Sequence, residues 1–150
     1  MKTVDVPALN KNIVDKENSM RIAICDDEKL HLEHTKNALE EAYKSLDLLV
    51  DVYSDGKVLL ERMSKVRYDL VILDIEMPEM NGIETARRLR AFSEKTAIVF
   101  LTSHIEYALE GYEVNALRYL TKPASVEKLS EIITYLWKGR RRLKSFLSGM

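Results

Sequence analysis

Leu70-Val71-Ile72-Leu73-Asp74 is the stretch on which the reading of the fold turns. Four apolar residues, two of them β-branched, stop at a carboxylate. A run that is apolar at every position suits a strand covered on both faces, as in the middle of a parallel sheet. Beyond it, Met77-Pro78-Glu79-Met80-Asn81-Gly82 has the Pro and Asn-Gly content of a loop. Ile83, Ala86 and Leu89 then recur at helical spacing.

The same unit repeats in both directions. Upstream, Arg21 to Cys25 is a short apolar strand ended by Asp26-Asp27-Glu28. A helix is expected from Glu28 to about Ser45, with Leu32, Leu39, Ala42 and Leu46 on one face. Asp47 to Tyr53 reads as a second strand, and Ser54-Asp55-Gly56 as a turn. Asp55 is placed to cap a helix that carries Leu59, Met63 and Val66. Downstream, Thr96 to Leu101 is a fourth strand, and Ile105, Leu109 and Tyr112 mark a fourth helix. Ala116 to Leu120 is a fifth strand ended by Lys122-Pro123, and Val126, Leu129, Ile133 and Leu136 mark the last helix. Five strands alternating with five helices predict an α/β fold with a parallel sheet covered on both faces.

The 150 residues suffice for one domain with short extensions, and 46% apolar with 31% charged residues is a globular balance. The net charge of -1 gives no general affinity for polyanions. Its distribution is uneven. Residues 20–137 carry fifteen basic and twenty-one acidic groups, whereas residues 138–150 carry five basic groups and no acid. Residues 1–19 are polar and without period, and are expected to be a flexible extension. The single Cys25 excludes an internal disulfide, and a buried inert thiol is expected there. No apolar run is long enough for a membrane span and no secretory signal precedes the first strand, so a cytoplasmic protein is expected.

In an open parallel sheet, ligands bind outside the carboxyl ends of the strands. Those ends here carry Asp26-Asp27-Glu28, Asp74, Thr102-Ser103 and Lys122-Pro123. Crowded carboxylates repel one another, and a hard cation such as Mg²⁺ relieves the repulsion. An Asp can attack phosphorus, a metal and a Lys can neutralise the transferring group, and a Thr hydroxyl can donate to it. Each element alone has a plainer reading: a helix cap for Asp26-Asp27 or Thr102, a solvated strand end for Asp74, a loop for Lys122-Pro123. Their joint occurrence at strand ends, in this order, is what the plainer readings do not predict. His31 and His34 stand three apart on the first helix, and two histidines without a third ligand are expected to be surface residues.

Ile24-Cys25-Asp26-Asp27-Glu28, Val71-Ile72-Leu73-Asp74-Ile75-Glu76-Met77-Pro78, Phe100-Leu101-Thr102-Ser103 and Tyr119-Leu120-Thr121-Lys122-Pro123 together resemble the receiver domain of two-component response regulators. Spacings of 47, 28 and 20 residues between Asp27, Asp74, Thr102 and Lys122 are similar to that family, and the likeness covers about residues 20–137. The resemblance implies a flavodoxin-like, doubly wound sheet in the order 2-1-3-4-5. It implies Asp74 as phosphoacceptor, and Mg²⁺ held by Asp26, Asp27, Asp74 and the backbone carbonyl of Glu76. Thr102 and Lys122 would bind the phosphoryl group, with Thr102 and Tyr119 as the switch pair. Glu76 and His104, two past the Asp and two past the Thr, would tune autodephosphorylation. The implied partner is a sensor histidine kinase, with a homodimer through the face of the fourth helix, fifth strand and last helix. The chain would be a signalling phosphoacceptor, not an enzyme with a separate substrate.

The run from Ser103 to Leu120, SHIEYALEGYEVNALRYL, is similar to receivers of the LytTR class, which carry a DNA-binding output domain. Thirteen residues follow Trp137, so that output domain is expected to be absent from this chain. Leu143 and Leu147 continue the last helical pattern with an interruption at Arg140. Residues 138–150 therefore read as a basic tail or linker, either continuing the last helix or forming a frayed, solvated end. The sequence is also compatible with two other functional classes. One is a metal-dependent phosphohydrolase with an Asp nucleophile, for which Glu76 is the available general acid. The other is a receiver-like interaction module that works without phosphorylation.

Overall fold

The computed structural model describes residues 19–44, 47–106 and 113–148, with side chains to residue 140. Five strands, β1 (Ser19–Cys25), β2 (Asp47–Tyr53), β3 (Leu70–Leu73), β4 (Ala97–Thr102) and β5 (Arg118–Thr121), form one sheet. All pairings are parallel and the order is β2-β1-β3-β4-β5. Four helices are present among the described residues: α1 (Lys29–Ala42), α2 (Gly56–Met63), α3 (Gly82–Phe92) and α4 (Val126–Ser148).

β3 is buried along its whole length, and β1 and β4 along most of theirs, because they serve two cores. Side chains alternate across a strand. Ile22, Ile24, Leu70, Ile72, Val99 and Leu101 thus face one side, where Leu32 and Leu39 of α1 and Leu129 and Ile133 of α4 close over them. Ala23, Cys25, Val71, Leu73, Ile98 and Phe100 face the other, under Leu59 of α2 and Ile83, Ala86 and Leu89 of α3. Each fully buried aliphatic side chain contributes about 1.5–3 kcal/mol, so the two layers hold the sheet edge rigid.

Several element ends differ from the sequence reading, each for a local reason. α1 stops at Ala42 rather than near Ser45, where Tyr43 turns extended and its N–H donates to the Leu39 carbonyl. α2 ends at Met63, and Val66 lies beyond it. The hydroxyl of Ser64 donates to the Glu61 carbonyl and the N–H of Val66 to that of Arg62, which closes the helix with Val66 still against the core. β5 begins at Arg118 rather than Ala116, after Asn115 adopts a left-handed φ of 58°. Most of the helix expected over Ile105, Leu109 and Tyr112 lies in residues 107–112, outside the described residues. β1 starts at Ser19, and α4 continues through the basic segment to Ser148.

The approach to β5 is held by one side chain. The guanidinium of Arg90 donates to the carbonyls of Val114 (2.7 Å), Thr96 (2.7 Å), Ser93 (3.0 Å) and Asn115 (3.3 Å). Arg90→Met keeps the stem and leaves those carbonyls without their donor. Urea denaturation of this variant is expected to show a loss of about 2 kcal/mol, at the level of unsatisfied part-buried acceptors.

Candidate functional site

The functional side chains are set by the strands that precede them. In a parallel ladder each strand donates to its neighbour at fixed register. Here the ladder continues one residue past the strand ends. The N–H of Asp26 donates to the Tyr53 carbonyl (3.0 Å), that of Asp74 to Cys25 (2.9 Å), and that of Lys122 to Thr102 (2.9 Å). The three charged residues are therefore pinned by their backbones at one edge of the sheet. Oxygens of Asp26, Asp27 and Asp74 come within 4.8 Å of one another. Asp26 and Asp74 are buried, at 3% and 6% exposure, and Asp27 is exposed.

Lys122 enters this cluster from β5 with its side chain only 9% exposed. Its Nζ stands 2.6 Å from Asp26 Oδ2, 3.4 Å from Asp74 Oδ2 and 2.8 Å from His31 Nδ1. The Lys122–Pro123 peptide bond is cis. Three carboxylates against one ammonium leave an excess of negative charge. Burial, and next the neighbouring Asp26 carboxylate, push the Asp74 carboxyl from 3.8 up to about 6, against the opposing pull of Lys122. Ligand oxygens on an octahedral Mg²⁺ at about 2.1 Å lie roughly 3–4 Å apart, so the carboxylate set suits a small hard cation.

Around this centre the remaining predicted residues fall as follows. Thr102 is fully buried, and its hydroxyl accepts from the His104 N–H (3.1 Å). His104 Nδ1 and Glu76 Oε1 are 2.7 Å apart, so the two residues that flank the acidic centre pair with each other. Tyr119, half-buried, stacks on Phe100 at 5.5 Å between ring centres. Asp26 does not cap α1, whose N-cap is Glu28 with no side-chain cap bond; its Oδ1 accepts from the Glu28 N–H just before the helix (2.9 Å). Cys25 is fully buried with Sγ 3.8 Å from Met77 Sδ, and burial pushes its thiol up. The expectation that His31 is only a surface residue is corrected: it is half-exposed, but its ring nitrogen reaches the site lysine. Its position on the first turn after a strand-end acid was the available signal. A cavity of about 430 Å³ opens beside it, lined by His31, His34, Ser103, Lys122 and Pro123.

Gly82 keeps the Asp74 loop in place from below. Its N–H donates to the Ile75 carbonyl (2.8 Å), and a Cβ on Gly82 would stand 1.9 Å from the Asp74 carbonyl oxygen. Backbone is in the way, so nothing can yield without moving Asp74.

Residues 22–134 match the model of the response regulator receiver domain. An uncharacterised response regulatory protein of Vibrio cholerae is 35% identical over 119 residues, covering 79% of this chain and 45% of that protein. The sensory transduction protein LytT of Bacillus cereus is 34% identical over 116 residues, covering 76% and 46%. The receiver domain of a Francisella response regulator superposes with a TM-score of 0.69 at 28% identity, covering 81% of this chain and 98% of that domain. The chain belongs to the response regulator receiver domain family. Members of this family are signalling phosphoacceptors of two-component systems rather than classical enzymes. The chain spans about half the length of the curated relatives it matches. No helix among the described residues is long and apolar enough to cross a membrane.

Two outcomes follow from this geometry. Gly82→Ala is expected to cost about 1–3 kcal/mol through overpacking and to weaken Mg²⁺ binding, as read by denaturation and by calorimetric titration. Asp74→Asn removes the strained charge while Lys122 keeps Asp26. In EDTA at pH 7 it should raise stability by about 1–3 kcal/mol. The sign follows from the raised carboxyl. Between pH 3.8 and about 6 the folded chain holds a proton on Asp74 that the unfolded chain has lost. The wild type therefore loses stability as pH rises through that interval, and the advantage of Asp74→Asn opens there and stays level above it. Urea denaturation at several pH values measures the difference.

Proposed function

We propose that this chain is the phosphoacceptor receiver of a two-component response regulator, taking a phosphoryl group from a sensor histidine kinase onto Asp74. The observation that carries this reading is the buried Asp74 carboxylate beside Asp26, Asp27 and the Lys122 ammonium. In the transfer, an Asp74 oxygen forms a bond to phosphorus. The bond from phosphorus to the donor imidazole nitrogen breaks, and that nitrogen leaves with the electron pair. Asp26, Asp27, Asp74 and the backbone carbonyl of Glu76 would hold Mg²⁺, which when bound neutralises charge on the transferring group. Lys122 supplies the second positive charge, and its 3.4 Å separation from Asp74 leaves it within reach of an incoming phosphoryl oxygen.

The switch follows from the same geometry. Thr102 gives up the His104 N–H to bond the phosphoryl group, and Tyr119 shifts from its stack on Phe100 as Thr102 turns. Phosphorylation thereby shifts a pre-existing balance of two arrangements, read at the face of β5 and α4 and the segment before β5. Two copies meet through that face in the active state. Glu76 and His104 tune the lifetime of the phosphoryl group, and their 2.7 Å contact across the site supports this role. The likeness to the sensory transduction protein LytT supports assignment to the LytTR class, for which the output is control of transcription.

Intact mass spectrometry after incubation with acetyl phosphate and Mg²⁺ tests the reading. Wild type is expected to gain one phosphoryl group and Asp74→Asn none. Equal labelling of both, or no labelling of a folded wild type at saturating Mg²⁺, would overturn it.

A further inference from the structure

We propose that His31 is a positioning residue for phosphoryl transfer, its imidazole accepting a hydrogen bond from the Lys122 ammonium and so fixing where that ammonium stands. The inference rests on Asp74 being the phosphoacceptor. An ammonium has three donors and no acceptor. Here one donor goes to Asp26 at 2.6 Å and one to His31 Nδ1 at 2.8 Å. The third is directed at Asp74 over a longer 3.4 Å. With two donors committed to Asp26 and His31, the third is held open for an oxygen entering beside Asp74.

Which His31 nitrogen carries the proton follows from its neighbours. His31 Nδ1 also lies 3.0 Å from Glu28 Oε1, to which it could donate if protonated there. A proton on Nδ1 would set two donors face to face at 2.8 Å, in front of a lysine only 9% exposed. Glu28 has a side chain 61% exposed and can turn into water, whereas Lys122 has nowhere to go. The buried constraint decides, so Nδ1 is the acceptor and Nε2 carries the hydrogen.

Removing the acceptor releases one ammonium donor. Lys122 then settles between the two carboxylates it already touches and closes on Asp74. That pairs away the nucleophile and leaves no donor waiting for phosphorus-bound oxygen. Asn restores an acceptor near the place of Nδ1, whereas Leu matches bulk and offers none.

The experiment measures initial rates of phosphorylation by acetyl phosphate at saturating Mg²⁺ for wild type, His31→Leu and His31→Asn, with thermal denaturation confirming equal folding. His31→Leu should be about threefold to tenfold slower, as for one lost hydrogen bond to a charged group at a half-exposed site, and His31→Asn within about twofold of wild type. A long-range proton–nitrogen spectrum in EDTA, with no phosphodonor, should show His31 protonated on Nε2 and unprotonated on Nδ1. An unchanged rate in His31→Leu, an Asn variant as slow as the Leu variant, or a proton on Nδ1 would each overturn the inference. Wild type that takes no phosphoryl group on Asp74 would instead remove the phosphoacceptor reading, and this inference with it.

Discussion

Three carboxylates and one ammonium occupy the same edge of the sheet, and their unequal charge is the constraint around which the molecule is built. Asp26 and Asp74 are buried beside each other, and Lys122 offsets only part of their repulsion. The rise of Asp74 from 3.8 to about 6 corresponds to roughly 3 kcal/mol of strain in the ionised state. Such strain persists only where the surroundings over-determine it. The ladder bonds that run past the strand ends do this, by holding the backbones of Asp26, Asp74 and Lys122 whatever their side chains prefer. Behind them lie two apolar layers whose burial outweighs the strain several times over. A site under such tension responds strongly to any added positive charge.

The opposite edge of the sheet serves anchoring. Arg140 on α4 stacks on Trp137, donates to the Ser19 carbonyl at 2.7 Å and pairs with Asp69 at 3.0 Å. Asp69 in turn accepts from the Arg21 N–H at 2.8 Å. The long last helix is thus tied to the starts of β1 and β3 while its first turns pack on the core. Chemistry at the carboxyl edge and the exit of the chain at the amino edge are joined through one rigid sheet and one continuous helix.

Some features were invisible along the chain because they depend on which elements become neighbours. Asp51 sits in an edge strand of ordinary amphipathic appearance, yet it is buried, with its Oδ2 accepting from the Tyr68 hydroxyl and Tyr53 OH 2.5 Å from Tyr68 OH. Tyr68 precedes β3, and β1 brings the two segments together. Arg90 reads as one more charge on an amphipathic helix, but it satisfies four carbonyls across the approach to β5. His31 reads as a surface histidine because its partner, Lys122, is ninety-one residues away. A pairwise hydrogen bond at that separation has no local signature.

The apolar runs, their acidic and basic terminators and the helical spacing between them determined the α/β class, the strand positions to within two residues, and the residues that meet at one edge. These are local properties: a strand buried on both faces must be apolar throughout, and in a parallel sheet all strand ends of one kind lie together. Tertiary structure alone decided the rest. It placed Lys122 nearer to Asp26 than to Asp74, paired Glu76 with His104, turned the Thr102 hydroxyl towards the His104 N–H, and brought His31 onto the lysine. Those outcomes are settled by ångström-scale competition among charges and donors from separate elements, and that competition exists only once the sheet has brought them together.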